Sequence, residues 1–320
     1  MEFVSYHKHL GITFDSDGKF HSHIENIVQS VSNRLSVMRK LKYILTRNTL
    51  SRIYLTFIRP LMEYACELWD GCSQRESDSL EKLQLEAGRI VTGLPLFASR
   101  DSIYYETGWE LLSERRRLRR LSLFFNIHKN SAPEYLSDLM PPSVGQMSDY
   151  NLRNNNNYIV PNCRLEITKK SFFPSTITDW NGLDQTIRDS RNVKIFKSKI
   201  NPKLEKPPSY FNYGNRKLNI LHTRLRHMCS SLSADLHRVN IVPSASCLCG
   251  HAVEDCIHYF LECPIYVEYR QLLFTELSTF NITIELLLAG DGRMTYDQNI
   301  KIFSSVHSYI KRTNRFSEHY

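Results

Sequence analysis

The sequence has no long hydrophobic run. No apolar stretch approaches the ~20 residues that a membrane-spanning helix requires. The first twenty residues also lack the uninterrupted apolar core of a secretory signal. We therefore expect an intracellular protein, in the nucleus or the cytoplasm. Because disulfides are disfavoured in these reducing compartments, clustered cysteines are interpreted as metal ligands and scattered ones as small buried side chains.

Motifs of catalysis are also missing. There is no glycine-rich phosphate-binding loop, no nucleophile elbow and no pair of adjacent aspartates that would hold catalytic metal ions. The composition instead shows an excess of positive charge, with 41 Lys and Arg against 33 Asp and Glu and a net charge of +8. Such an excess favours an anionic partner, most simply nucleic acid, although solubility alone explains it equally well.

Helical periodicity dominates the chain and predicts a mainly α fold. Apolar residues recur every three or four positions at about 22–44, 50–61, 79–92, 109–129, 218–236, 264–279 and 298–312. Pro60 predicts a kink or break in the second segment, and Gly93 is expected to end the third. The segments between 20 and 140 are predicted to form an antiparallel helical bundle.

Two regions depart from this helical pattern. Residues 9–14 are predicted to form a strand that runs into a tight reversal at 15–18, and such a strand is expected to need a partner upstream of the chain. Between 141 and 213, proline pairs and four consecutive asparagines predict an irregular α+β connector of loops and short strands. One helix is expected there, begun by Pro174 and carrying Ile177 and Trp180.

A cluster of cysteine and histidine predicts one structural zinc ion. The predicted ligands are Cys247, Cys249, His258 and Cys263. Their gaps of one, eight and four residues place two ligands on a tight turn and two further along, as a tetrahedral site requires. Gly250 suits the turn because it tolerates positive φ. His258 and Cys263 are predicted to bracket the end of a strand and the start of a helix. Because four ligands leave no position for water, a structural role is favoured over a catalytic one.

Other interpretations of this cluster stay open at the level of sequence. One residue between the first two cysteines is tighter than the usual spacing. Cys256 and His251 are near enough to replace a chosen ligand, and Cys256 would face the same way as His258 on a strand. A buried thiol cluster with surface histidines is the alternative without metal.

A run of arginines between 115 and 120 is the strongest candidate for contact with nucleic acid. Like charges one helical turn apart repel each other, and a phosphate backbone would convert that repulsion into binding. The predicted nucleic-acid contacts are Arg115, Arg116, Arg119 and Arg120, together with Lys169 and Lys170. The alternative is a solvated face, partly neutralised by Glu110 and Glu114, or a nuclear-localisation-like patch. The aromatic residues that follow Lys170 are interpreted as core packing.

Several segments, taken in order, resemble one family. The chain reads HLGITF at 9–14 and HSHI at 21–24, then IRPLMEYAC at 58–66, Trp69, LEKLQ at 80–84 and Arg89-Ile90. It continues with LRN at 152–154, SFFP at 171–174, Trp180-Asn181 and the cysteine cluster. These segments resemble the region from the end of the palm to the zinc knuckle in non-LTR (LINE-type) retrotransposon reverse transcriptases.

The resemblance implies a C-terminal fragment of such an enzyme. It divides the chain into the end of a palm-like segment (1–19), a helical thumb-like domain (20–140), a connector (141–213) and a helical domain (214–320) with a zinc knuckle at 247–264. The catalytic aspartates of the family would lie upstream, so its polymerase activity is not carried over. The implied function is binding of template RNA or target DNA, with the upstream palm as a further partner. A zinc-stabilised protein-interaction remnant and a nuclease are the alternatives.

Overall fold

The computed structural model describes residues 5–147, 154–201 and 205–317. The predicted mainly α fold is confirmed, because helices dominate the described residues and the strands are confined to one two-stranded sheet. Leu152 and Arg153, part of one segment of the family resemblance, lie outside the described residues. Within the described ranges, no helix is long and apolar enough to cross a membrane.

The α-helices and strands follow one another along the chain, with 3-10 and π turns between some of them. The strands are β1 (Tyr6–His9) and β2 (Ile12–Asp15). The helices of the first half are α1 (His21–Leu41), α2 (Arg47–Ile53), α3 (Cys66–Trp69), α4 (Gln74–Thr92), α5 (Arg100–Thr107), α6 (Leu112–His128), α7 (Glu134–Ser137) and α8 (Val144–Met147). Those of the second half are α9 (Glu166–Lys170), α10 (Phe172–Asn181), α11 (Gln185–Arg188), α12 (Val193–Ile200), α13 (Arg216–Arg226), α14 (Ser233–Arg238), α15 (Val267–Glu276), α16 (Ile284–Ala289) and α17 (Tyr296–Thr313).

The N-terminal strand has its partner within the chain. β1 and β2 pair antiparallel with His9 opposite Ile12, so only Leu10 and Gly11 form the turn between them. Both turn residues have positive φ, of 45° and 84°, which matches the twist of a tight hairpin. The predicted strand is therefore paired within the chain and does not need an upstream partner for its pairing. The reversal predicted at 15–18 is present, since Gly18 N donates to Asp15 O at 2.9 Å.

The helix break near Pro60 is confirmed. The α-helical part ends at Ile53, a π turn covers Tyr54–Ile58, and a 3-10 turn with Pro60 near its start covers Arg59–Met62. A proline cannot donate the hydrogen bond that a continuous helix would need at this point. Gly93 follows the end of α4 with φ 78°, as a helix-ending glycine does.

The helical pattern predicted at 218–236 corresponds to two helices, α13 and α14, which Met228 separates with a left-handed φ of 51°. The prediction of short strands in the connector is wrong. Among the described residues of 141–213 there is no β-strand beyond an isolated bridge between Ser143 and Tyr158. The short helices α8 to α12 alternate there with loops.

The chain divides into two compact units, each built from separate segments. Unit 1 comprises Met1–Arg34, Thr56–Gln84 and Glu110–Leu204. Unit 2 comprises Leu35–Leu55, Leu85–Trp109 and Glu205–Tyr320. In unit 1, Phe124 of α6, Trp180 of α10 and Phe196 of α12 pack in one buried cluster. In unit 2, the largest cluster joins α13, α15 and α17 to the cysteine-rich segment. The predicted boundaries at 20–140, 141–213 and 214–320 coincide with neither unit and stay a prediction.

Candidate metal centre and the arginine helix

A tight turn positions the first two cysteines of the cluster. Gly250 N donates to Cys247 O at 3.0 Å, and Cys247 N donates to His251 O at 2.9 Å, so the segment folds back on itself within five residues. Gly250 has φ 92°, a conformation that favours glycine. Leu248, the single residue between the cysteines, projects from this turn with 89% of its surface exposed. Both flanking thiols are thereby directed to the same side.

A π turn, rather than a strand, positions the other two predicted ligands. Residues His258–Glu262 form one π-helical turn, and Cys263 N donates to His258 O at 2.7 Å. A hydrogen bond from residue i+5 to residue i brings these two positions onto one side of the turn. This explains how a gap of four residues supplies two ligands to one site. The predicted strand before His258 is therefore wrong.

The four predicted residues meet in space. The ligand atoms of Cys247, Cys249, His258 and Cys263 all lie within 4.8 Å of one another and could hold a metal ion. The Sγ atoms of Cys247 and Cys263 are 3.8 Å apart, too far for a disulfide bond of about 2.05 Å. Two thiolates about 2.3 Å from a tetrahedral zinc ion would be about 3.8 Å apart. Cys249 Sγ and His258 Nε2 are 3.2 Å apart, slightly less than a tetrahedral edge. The spacing therefore fits one tetrahedral ion.

The surroundings of His258 also fit a ligand that uses Nε2. Its Nδ1 atom is buried and has no hydrogen-bond partner among the described residues. The carboxylate of Glu262 lies close by, with its Oε2 3.6 Å from Nδ1. A carboxylate beside the second ring nitrogen is the common way to orient a histidine ligand and to increase its basicity. Sequence reasoning missed Glu262, which lies four residues after His258 and so on the same side of the turn.

The thiols differ in how readily they ionise. Burial raises the pKa of Cys247 to about 12 and also raises the pKa of Cys263. A main-chain hydrogen bond from His251 lowers the pKa of Cys249. A cation that replaces the thiol protons would offset the cost of burying negative charge at this place. The donor set of three sulfurs and one imidazole suits a soft or borderline ion.

Cys256 and His251, the two residues considered as replacement ligands, make other contacts. Cys256 Sγ donates to Leu225 O at 3.4 Å within the core of unit 2, and it is not one of the four clustered atoms. His251 stacks on His258 with ring centroids 4.2 Å apart. Its ring can form a second group with His258 and Glu262. Because that group shares His258 and offers only three ligands, the Cys3His set is the more complete one.

Charged side chains connect the cysteine-rich segment to the rest of unit 2. Arg270 donates to Cys263 O at 2.9 Å. Glu254, just after the turn, accepts from Arg315 at 2.6 Å and from Ser233 Oγ at 2.8 Å. Cys247 and Cys263 are themselves members of the main hydrophobic cluster of the unit. The site is therefore continuous with the core rather than a separate appendage.

The arginines of α6 are engaged with carboxylates in the structure. Arg115 pairs with Glu63 and with Glu110, the latter at 2.7 Å. Arg119 contacts Glu67 at 3.3 Å and is 45% exposed. These two guanidinium groups therefore already have anionic partners within unit 1.

The other two predicted arginines of α6 share one carboxylate. Arg116 and Arg120 both bind Asp70, at 2.7 and 2.6 Å, and Arg120 also reaches Asp179 at 3.2 Å. The side chain of Arg116 is only 1% exposed and lies over the ring of Trp69. In this arrangement Arg116 has no surface to offer to a phosphate. The predicted nucleic-acid contacts of α6 stay a prediction, while their observed contacts hold helices together.

Lys169 and Lys170 lie at the exposed end of the short helix α9. Lys169 pairs with Glu166 at 2.7 Å on the surface. Of the side chains interpreted as core, Ile177 and Trp180 are buried in one hydrophobic cluster of unit 1, and Phe172 and Phe173 pack against that cluster while partly exposed. These lysines are accessible to an anion, and the rings of Phe172 and Phe173 beside them contact each other edge to face, with centroids 5.1 Å apart.

Three comparisons with known proteins identify no relative of the chain. No protein-family model matches the chain, and no curated protein or solved structure is significantly similar to it.

Proposed function

We propose that the chain is the non-catalytic C-terminal region of a reverse transcriptase of the non-LTR type. In this proposal a zinc ion on Cys247, Cys249, His258 and Cys263 stabilises the fold, and a basic surface binds template RNA or target DNA. The observation that carries the proposal is the meeting of three thiols and one imidazole at tetrahedral spacing. The order of the resembling segments and the net charge of +8 support the nucleic-acid part.

When bound, the zinc ion would cross-link the turn at 247–251 to the π turn at 258–263. Zinc is favoured because it prefers four tetrahedral ligands of this type and has no redox chemistry of its own. The turn, the π turn and Glu262 orient the ligands, three of which are buried while Cys249 is partly exposed. No position on the ion is left for a substrate, so the role is structural.

Metal content tests the first part of the proposal. The purified chain should contain about one zinc per molecule. Serine at Cys247 or Cys263 should abolish binding, whereas serine at Cys256 is the matched control, because that thiol is also buried but donates to Leu225 O. Loss of zinc from Cys256→Ser, or retention in both other variants, would contradict the ligand choice.

Salt-dependent binding tests the second part. The zinc-loaded chain should bind RNA or DNA with an affinity that falls steeply as salt rises, because phosphate contacts release counter-ions. Absence of binding at low salt would overturn the nucleic-acid function. The alternative, a protein-interaction module, is favoured by one observation, the ion pairing of the α6 arginines with carboxylates. Tight binding of a protein partner without affinity for nucleic acid would support that alternative.

A further inference from the structure

A second basic surface lies in unit 2. It is not evident from the sequence, because its residues are far apart along the chain. Five cationic side chains surround a cleft of about 250 Å³. They are Arg39, Lys42, Arg89, Arg216 and Arg224, and we call this site the basic cleft. Only one carboxylate, that of Glu86, is among the described residues that line it. Glu86 pairs with Arg39. The formal charge of the lining is therefore +4.

Two of these arginines bind main-chain carbonyls at helix ends, and this structural role is an alternative explanation for their presence in the cleft. Arg216 donates to Lys42 O at 2.9 Å and to Ile90 O at 2.7 Å, and Arg224 donates to Gly93 O at 2.8 Å. These carbonyls belong to the C-terminal ends of α1 and α4, where each helix dipole is worth about half a negative charge. Subtracting both helix ends still leaves an excess of about three positive charges. Capping alone does not account for the number of cations.

One donor at the cleft lacks an acceptor. The Nε atom of Arg89 is buried and has no hydrogen-bond partner among the described residues. A buried donor without an acceptor is costly, and an anion in the cleft would remove that cost. An oxygen-rich anion such as a phosphate suits the planar donors of arginine particularly well.

An exposed aromatic ring lies beside the cleft. Tyr43 lines it, is 58% exposed, and has Lys42 Nζ 4.5 Å from its ring centre. Tyr43 and Arg216 also line a neighbouring depression of about 470 Å³, which contains Lys217 and Lys311 as well as apolar side chains. The basic cleft therefore continues past an aromatic side chain into a second basic hollow. Single-stranded nucleic acids bind such grooves, with phosphates on the cations and bases on the aromatic rings.

We propose that the basic cleft binds the phosphate backbone of a single-stranded nucleic acid, with a base stacked on Tyr43. This inference rests on the proposed function and assigns the contact to unit 2 instead of α6. A single strand is favoured over a duplex because only unpaired bases are free to stack on a side chain. RNA and DNA strands share this backbone chemistry, so the experiment compares them.

A pair of charge-matched variants tests the cleft in the full, zinc-loaded chain. The probes are labelled oligo(U) and oligo(dT), followed by fluorescence anisotropy between about 50 and 200 mM salt. Lys42→Gln with Arg89→Gln removes two cations from the cleft. Lys40→Gln with Lys82→Gln removes two exposed cations outside the cleft, one from the last turn of α1, close to Lys42 in sequence, and one from α4, the helix that carries Arg89. The first variant should bind about tenfold more weakly, with a salt slope reduced by about 1.4, and the second should match the wild type.

Two single variants keep the test decisive if the first double variant is unstable. Glu86→Gln removes the carboxylate from the cleft and should tighten binding several-fold at low salt. Tyr43→Ala should weaken binding roughly fivefold or more while leaving the salt slope unchanged, because stacking involves no counter-ion.

The possible failures are distinguishable. Equal binding by both double variants, or no change in Glu86→Gln and Tyr43→Ala, overturns the cleft while the proposed function stands. No binding of either oligonucleotide by the wild type overturns the proposed function itself. A duplex probe that binds more tightly than both single strands and is insensitive to Tyr43→Ala would overturn the single-strand assignment. A difference between oligo(U) and oligo(dT) identifies the preferred strand.

Discussion

The carboxylate of Glu106 lies in the interior of unit 2 between two arginines. Its oxygens are 2.6 Å from Arg47 and 2.5 Å from Arg226, and its side chain is fully buried. Burial opposes ionisation, but the charges of Arg226 and Arg47 outweigh it and hold the pKa of Glu106 well below its usual range. The guanidinium of Arg226 also lies 3.7 Å from the centre of the Phe211 ring. One anion therefore compensates two buried cations.

Replacing this carboxylate should be strongly destabilising. Glu106→Gln keeps the shape but leaves two buried guanidinium groups without a counter-charge, so we expect the free energy of unfolding to fall by about 3–5 kcal/mol. Urea unfolding of the zinc-loaded chain measures the change. Glu276→Gln, which breaks an exposed pair with Arg312, is the control and should stay within about 1 kcal/mol. Similar losses in both variants would show that burial does not set the strength of the Glu106 pairs.

Two buried histidines should make stability depend on pH. His222 and His307 face each other with ring nitrogens 3.3 Å apart, and His222 also contacts Leu287 O at 2.9 Å. Burial, with the nearby charge of Arg226, lowers the pKa of His307 to about 4 and lowers that of His222 well below its usual value. The unfolded chain protonates these rings near pH 6.5, whereas the folded chain does not. The stability that depends on these neutral rings is therefore complete above about pH 6.5, and it is lost as the pH falls toward 4.

Unfolding measured across this pH range checks the prediction. His307→Gln removes one of the titrating rings and should flatten the curve between pH 6.5 and 4. His237→Gln, an exposed histidine of the same unit, should leave it unchanged. An equally steep curve in His307→Gln would assign the pH dependence to other groups.

At the scale of an element, α6 is held by its arginines. Arg116 binds Asp70 through Nε and Ser77 through Nη2, both at 2.7 Å. Lysine keeps the charge but cannot supply this fork of donors. Arg116→Lys should therefore lower the free energy of unfolding by about 2 kcal/mol. Arg117→Lys, at a more exposed position of the same helix, should change it by less than about 0.5 kcal/mol.

The same two variants separate stability from binding. If Arg116 acts through packing, thermal unfolding changes in Arg116→Lys while the affinity for oligonucleotides at low temperature does not. Loss of affinity with unchanged stability would instead support the predicted role of α6 in nucleic-acid binding.

At the scale of the whole molecule, the metal site should govern the order of unit 2. The ligands Cys247 and Cys263 share one cluster with Leu225 of α13, Leu273 of α15 and Tyr309 of α17. Chelation removes the cross-link between two turns of that cluster, so amide exchange in these three helices should accelerate. Hydrogen-exchange mass spectrometry with and without a chelator measures the effect. Helix α12, which packs in the cluster of unit 1, is the internal control. Unchanged exchange in α13, α15 and α17 would mean that the core stands without metal.

Local signals made part of this structure predictable. The helices α1, α4, α6 and α17 follow from apolar spacing along one face, and the turn at Gly250 follows from a residue that tolerates positive φ. The four clustered ligands lie within seventeen residues, so their spacing alone indicated a shared site. The π turn that completes the site was not predictable, because its pattern of hydrogen bonds has no distinct sequence period.

The amino-acid sequence by itself determined the helical class and the ligands that could hold a metal ion, because both depend on neighbours in the chain. Only the tertiary structure decided which charges are neutralised. The arginines of α6 form a conspicuous run, yet the carboxylates of Glu63, Asp70 and Asp179 meet them from other elements. The cations of the basic cleft come from positions as far apart as 39 and 224, so no window of sequence contains them. The interaction between two charged groups depends on their distance in space, and for groups far apart in the sequence folding sets that distance.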